Sequence, residues 1–315
     1  MLKVRYKIRN WPEYNKALIN RGNFTFWFSE EMIKNWHHDQ SLPKKQGRNF
    51  TYSSICIECA LTVRELLKFP LRSTQGFMNS MLELLGFPLK SPDYTTFCKR
   101  ARHLKIEPFR RTNNKNLHIL VDSTGLKVFG EGEWKTKIHG KSKRRTWRKL
   151  HIGIDANNQE IVISSLTENS VSDDHAFVDL AKQLPEKIES VSGDGAYDTI
   201  ACYTAILDRQ GKPIIPPQKN AVISSDPILK NRDNAINLIH SYDDMDTGRK
   251  AWKIKTNYHK RSLVETQMFR IKKIFGNSLK SINFTNQIVE TQIKCKLLNL
   301  ITVIGMPLSH RVFIG

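Results

Sequence analysis

The segment YHKRSLVETQMFRIKK places Tyr258, Arg261, Glu265 and Lys272 at offsets of three, seven and fourteen. At roughly 100° per residue, a helix gathers the four side chains into an arc of about 60°. One carboxylate then lies between two cations and a phenol. Carboxylates bind hard divalent metals, while guanidinium, ammonium and phenol hydroxyl bind phosphate. Together these groups suit cleavage of a phosphodiester. Ser262 and Glu265 also have capping-box spacing. A capping box would tie Glu265 to backbone amides and leave Tyr258 and Arg261 ahead of the helix.

Breaking a phosphodiester takes an activated nucleophile and a stabilised leaving oxygen, which two metal ions roughly 3.5–4 Å apart supply. Holding two ions takes about three carboxylates, one of them shared. Asp122 interrupts the apolar run ILVDSTG, where an unpaired acid is costly. Asp194 follows the short run ESVSG and is flanked by Gly193 and Gly195, which leave room for a ligand. With Glu265 they form a candidate set of metal ligands, spread too far along the chain to be a local calcium loop. Asp122 could instead open an Asp-Ser-Thr-Gly turn. Asp198, before Thr199, reads as a helix cap, Asp155 as a turn residue, and Asp173 and Asp174 as acids opening a helix.

Residues 135–149, KTKIHGKSKRRTWRK, hold eight Lys or Arg and no acid. Lys141, Lys143, Arg144, Arg145, Arg148 and Lys149 are candidate phosphate contacts, which bring affinity without sequence reading. Trp134 and Trp147 bracket the run and Trp252 precedes the Glu265 segment. Each is a candidate for stacking on an exposed base, against the alternative of packing beneath a loop.

These groups need a scaffold. Residues 1–115 read as mainly helical, with Ser29 and Ser73 as caps, Gly86 as a stop, and Ser91-Pro92 opening a short basic helix. That last helix carries Lys99 and Arg100, and with its predecessor could form a helix-turn-helix or a plain helical hairpin. RRTNNKN is a linker. Beyond it, 117–129 reads as a strand and 148–169 as a hairpin turning at Asn157-Asn158. Helix, strand, helix and strand follow, up to KPIIPP, then a polar insertion around 217–252 and the Glu265 helix. Residues 285–305 read as an amphipathic helix packed outside the sheet. Three antiparallel-type strands followed by strands added through helices match the ribonuclease H-like layout, an α/β fold. The expected division is thus 1–115, mainly helical with a possible helix-turn-helix, and 116–310, ribonuclease H-like.

The chain has 315 residues, 50 Lys+Arg against 30 Asp+Glu, a net charge of +20 and a pI near 9.8. Such an excess favours a polyanionic partner, nucleic acid first. No run of about eighteen apolar residues suggests a membrane span, and the N-terminal stretch does not read as a secretion leader. Five cysteines without framework spacing fit a reducing cytosol. Cys56 and Cys59 form a C-x-x-C that reads as core, with a zinc site shared with Cys98 and His103 as the alternative.

The chain resembles bacterial insertion-sequence transposases of the DDE class, specifically insertion sequence family five. The resemblance rests on NWPEYNKALINRGNFTFWFSEE, ALTVRELLKFPLRSTQGFMNSMLELLG, VDSTGLKVFGEGEWKTKIHGKSKRRTWRKLHIGID, SGDGAYDT and YHKRSLVETQMFRIKK, the last fitting a tyrosine–arginine–glutamate–lysine signature. It implies that Asp122, Asp194 and Glu265 bind two Mg²⁺ ions, with Mn²⁺ able to substitute, and that Tyr258, Arg261 and Lys272 hold the DNA strand. It also implies that 1–115 binds the DNA ends and 116–310 is the catalytic domain, with cleavage at terminal inverted repeats, attack of the freed 3′-hydroxyl on target DNA, and a homodimer on paired ends. The expected location is the bacterial cytoplasm, at the nucleoid. Two rivals are a domesticated DNA-binding protein without catalysis and another ribonuclease H-like metal nuclease.

Overall fold

The computed structural model describes residues 3–23, 25, 27–39, 50–109, 116–128 and 146–314. By packing, the chain forms two compact units, Met1–Phe109 with Lys296–Gly315, and Arg110–Cys295.

The first unit begins with strand β1 (Lys3–Ile8), then helices α1 (Trp11–Asn20), α2 (Glu30–Lys34), α3 (Ser54–Leu67), α4 (Leu71–Leu84) and α5 (Tyr94–Ala101). Side-chain caps start three of them. Ser29 accepts from the Met32 amide, Ser53 from Cys56 and Asp93 from Thr95. The expected caps at Ser73 and Ser91 are not used. Pro70 precedes α4, which places Ser73 inside it. Ser91 is buried, and its amide donates to Asn79. Gly86 does end α4, with a positive φ of 72° and the Phe87 amide donating to the Leu82 carbonyl at 2.9 Å. Buried Cys56, Ile57, Cys59, Ala60 and Val63 of α3 meet α4 and α5, which bring Met78, Leu82 and Phe97. The link between α4 and α5 runs from Leu85 to Asp93, longer than the three- or four-residue turn of a helix-turn-helix.

The second unit is built on a six-stranded mixed sheet. In chain order it holds β2 (His118–Val128), β3 (Trp147–Asp155), β4 (Ile161–Glu168), α6 (Asp173–Ala181), β5 (Ser190–Ser192), α7 (Ile200–Leu207), β6 (Lys212–Ile214), α8 (Lys230–His240), α9 (Met245–Lys255), α10 (Ser262–Phe275) and β7 (Ser278–Leu279). The spatial order is β4-β3-β2-β5-β6. β3 runs antiparallel to both β2 and β4, while β5 and β6 join in parallel. Three antiparallel strands followed by helix-linked parallel ones form the ribonuclease H-like sheet that the sequence order led us to expect.

Alternation along β2 assigns its two faces. Ile119 and Val121 point into a cluster with Phe177 and Leu180 of α6 and Tyr203 and Ile206 of α7. Asp122 points to the other face, where it meets the chain leading into α10. The segment 217–252, read as a short polar insertion, contains α8 and most of α9. Their core is Ala235, Ile239 and Trp252. Gly248 lets them touch, because a Cβ there would lie 2.2 Å from the Ile239 carbonyl oxygen.

The last helix, α11 (Phe284–Ile304), runs through the boundary between the units: its residues to Cys295 count with the sheet and those from Lys296 with the first unit. The sequence-based division kept all of 116–310 together. Strand β8 (Ser309–Ile314) then pairs antiparallel with β1.

Candidate active site

An opening in one edge of β2 creates the site. β5 pairs with β2 only from His118 to Leu120, and β7 begins pairing only at Lys127. Among the described residues no strand pairs with this edge between them, and Asp122 lies in that gap. Continuing the β5 register by two residues brings Asp194, just past the end of β5, alongside Asp122 in the middle of β2.

Asp122 is mostly buried. Its Oδ1 accepts from the Ser123 amide at 2.8 Å and its Oδ2 from Arg261 at 3.0 Å. Burial pushes its carboxyl above the usual carboxylate range. The Ser123 amide and Arg261 oppose that rise, and the Asp194 charge adds to it. It is a strand residue, so the Asp-Ser-Thr-Gly turn is not formed.

Asp194 caps a single 3₁₀ turn, Gly195–Tyr197, accepting from the Ala196 amide at 2.9 Å. Gly193 does not make room for a ligand as expected. A Cβ there would come within 2.7 Å of the Tyr197 ring and 3.2 Å of Val121. The glycine lets Tyr197 fold beneath the strand end, edge-on to Phe177. At Gly195 a Cβ would meet nothing closer than 3.9 Å. Asp198 is not a cap. Thr199 caps α7, and Asp198 is buried, accepting from the Tyr203 hydroxyl at 3.1 Å and the Gln218 amide at 2.9 Å.

The Tyr258–Glu265 segment departs from a single regular helix. Tyr258–Arg261 is a 3₁₀ turn, entered through Asn257 at a φ of 54°, and α10 starts at Ser262. Yet no capping box forms. Ser262 Oγ donates to the His259 carbonyl, and Glu265 accepts from Arg261. Arg261 therefore holds two carboxylates, Asp122 through Nη1 and Glu265 through Nη2. α10 buries Val264, Gln267, Met268, Ile271 and Phe275, which leaves Glu265 exposed and Lys272 half-buried at the margin of that stripe. Tyr258 packs on Trp252 with ring centroids 5.1 Å apart, and its phenol is pushed up to about 12, chiefly by burial.

Several expected DNA contacts are engaged elsewhere. Trp252 is a buried core residue and cannot stack on a base. Arg148 donates to Gln287 at 3.1 Å, lies 3.8 Å from Glu168 and packs over Phe284. Lys149 donates to the Val171 carbonyl at 2.9 Å and pairs with Asp173 at 3.3 Å. Arg100 donates to the Tyr52 carbonyl at 2.8 Å and lies over Phe50, whereas Lys99 is exposed. Trp147 is half-buried against Gly125. Trp134, Lys141, Lys143, Arg144 and Arg145 lie outside the described residues.

Sequence reading passed over Tyr197 and Phe269. Tyr197 supports the Asp194 turn, and its signal was the small residue at Gly193. Phe269 stands four residues after Glu265, on the same exposed arc.

In kind, the donors fit a hard divalent cation. All are carboxylate oxygens, and buried Asp122 is short of positive charge. In placement, Arg261 supplies that charge. Among the described residues, no three His, Cys, Asp or Glu side chains cluster closely enough to hold one ion. The same holds for the cysteines: Cys56 and Cys59 are buried thiols whose pKa burial raises, Cys59 to about 12. No described helix is long and apolar enough to cross a membrane.

Two family models, each described as "Transposase DDE domain", match residues 19–131 and 113–300. Among solved structures, a piggyBac transposase synaptic complex with hairpin DNA is similar at 11% identity, covering 90% of this chain and 73% of that one, with a TM-score of 0.44. A Drosophila P element transposase strand transfer complex is similar at 10% identity, covering 93% and 85%, with a TM-score of 0.30. The second family model alone spans more than half of the chain, so the protein belongs to the DDE transposases, enzymes of transposition whose family implies dependence on a divalent metal.

Proposed function

We propose that this transposase belongs to insertion sequence family five and cuts DNA at the terminal inverted repeats of its element. The freed 3′-hydroxyl then attacks target DNA. The observation that carries the reading is the meeting of Asp122 and Glu265 on Arg261, beside Asp194, at an open sheet edge.

In this reading Asp122, Asp194 and Glu265 hold two Mg²⁺ ions, or Mn²⁺ in their place. When bound, such ions activate the attacking oxygen and stabilise the leaving one. Arg261, which here joins Asp122 and Glu265, would turn its fork to a phosphate of the bound strand. Tyr258, fixed against Trp252, donates its hydroxyl proton in a hydrogen bond to the same backbone; with its pKa at about 12 it stays protonated at neutral pH. Lys272, two turns further along α10, takes a neighbouring phosphate. Lys141, Lys143, Arg144 and Arg145 add contacts that do not read sequence. Residues 1–115, with Lys99 exposed on α5, recognise the element ends. Two copies act on paired ends, one centre for each.

The test is cleavage of a labelled duplex carrying the inverted repeat that flanks this gene, with Mg²⁺, Mn²⁺ or chelator. Cleavage should need metal and vanish in Asp122→Ala, Asp194→Ala and Glu265→Ala while DNA binding persists. Full cleavage in any one variant removes that residue from the site.

A further inference from the structure

We infer that Phe269 is a base-contacting residue, holding an unstacked DNA base next to the scissile phosphate. The inference rests on the reading of α10 as the helix along which the strand is cut. Phe269 is 64% exposed. The opposite side of α10 buries five side chains without it, so the fold does not need this ring. Its place along the helix is specific. It lies about 40° round from Glu265 and about 60° from Lys272, on one face. Along the axis it stands about 6 Å beyond Glu265, and Lys272 about 10 Å beyond. A strand with one phosphate at Glu265 and another at Lys272 would pass its intervening sugar and base over the ring.

The chemistry fits that occupant. A phenyl face accepts any base without a hydrogen-bond code, as suits a cut set by position. Reaching a phosphate within a duplex end also costs unstacking, which an aromatic platform offsets. Trp252, the tryptophan expected to serve this segment, is buried under Tyr258 and leaves the role open.

The experiment compares wild type, Phe269→Ala and Phe269→Trp on the labelled element end. Thermal denaturation should be unchanged, because the ring is exposed. On intact DNA, Phe269→Ala should cleave about ten- to a hundredfold more slowly, and Phe269→Trp close to wild type. With an abasic nucleotide beside the scissile phosphate, wild type should fall to the level of Phe269→Ala. Wild-type rates in Phe269→Ala, or an equal loss on intact and abasic DNA, would overturn the inference. 2-Aminopurine in place of that base, with Ca²⁺ in the buffer, reads stacking without cleavage. Its fluorescence, quenched in the duplex stack, should change on binding wild type and stay nearer the duplex level with Phe269→Ala; an equal change with Phe269→Ala also overturns the inference. Cleavage surviving in Glu265→Ala while Phe269→Ala loses the fluorescence change would sink the catalytic reading and leave the base contact standing.

Discussion

Arg261 donates to Asp122 at 3.0 Å across 139 residues of sequence. The same guanidinium reaches Glu265 one helical turn away, so a single cation fastens the open edge of the sheet to the helix that completes the site. Three groups contribute to that centre, and none is explicable without the others. Asp122 is tolerated in a buried strand because a cation meets it. Arg261 is held in place by two acids. Glu265, exposed on α10, is drawn to the edge of β2 by its pairing with Arg261.

Removing Arg261 should separate its two roles. In Arg261→Ala the carboxylates lose their cation, so Mn²⁺ should bind several-fold more tightly without DNA, as read by electron paramagnetic resonance of free Mn²⁺. Strand cleavage should fall by at least tenfold, because the phosphate loses its fork. Weaker metal binding in this variant would mean that Arg261 supports the metal site and does not compete for it.

The raised Asp122 pKa gives a signed pH effect. A carboxyl whose folded pKa lies above its unfolded value takes up protons on folding, so stability grows as pH falls through that window. Compared with Asp122→Asn, the metal-free wild type should gain stability as pH drops from neutral towards about 4. Denaturation curves at a series of pH values check this; a constant difference between the two proteins would contradict it. Metal binding should show the opposite trend and weaken in the same window.

The two glycines around Asp194 should behave differently. Gly193→Ala drives a methyl into the Tyr197 ring and against Val121, costing about 1–3 kcal/mol and displacing the Asp194 turn. Gly195→Ala meets open space and should be near neutral. Melting temperatures and cleavage rates decide; equal tolerance would remove the support role given to Tyr197.

Trp252→Ala should cost about 3–5 kcal/mol, since the indole is the centre of the small core between α8 and α9. Cleavage should suffer through Tyr258, which rests on it. An unchanged melting temperature with lost DNA affinity would restore Trp252 as a surface contact.

The sheet was legible in the sequence because its signals are local. Alternating apolar residues, the Asn157-Asn158 turn and proline stops mark strands and helices one by one, and their order alone implies the layout. The identity of Asp122 as a strand acid was legible for the same reason. What escaped reading depends on partners distant in sequence. Trp252 and Arg148 look like free recognition groups until Ala235, Ile239, Gln287 and Glu168 are brought to them. Asp198 looks like a cap until Tyr203 and Gln218 claim it. The 3₁₀ turn before Ser262 was hidden because helical spacing reads the same through a tighter turn, and only the left-handed Asn257 marks the entry. Polar composition concealed α8 and α9, whose shared core is only a few residues wide.

The most direct measurement is anomalous scattering at the manganese edge from crystals of the protein grown with an element-end duplex and Mn²⁺. The account predicts peaks bounded by carboxylate oxygens of Asp122, Asp194 and Glu265, with the Arg261 guanidinium moved onto a DNA phosphate. Manganese bound elsewhere, or Arg261 still joining Asp122 to Glu265 in the DNA complex, would contradict it.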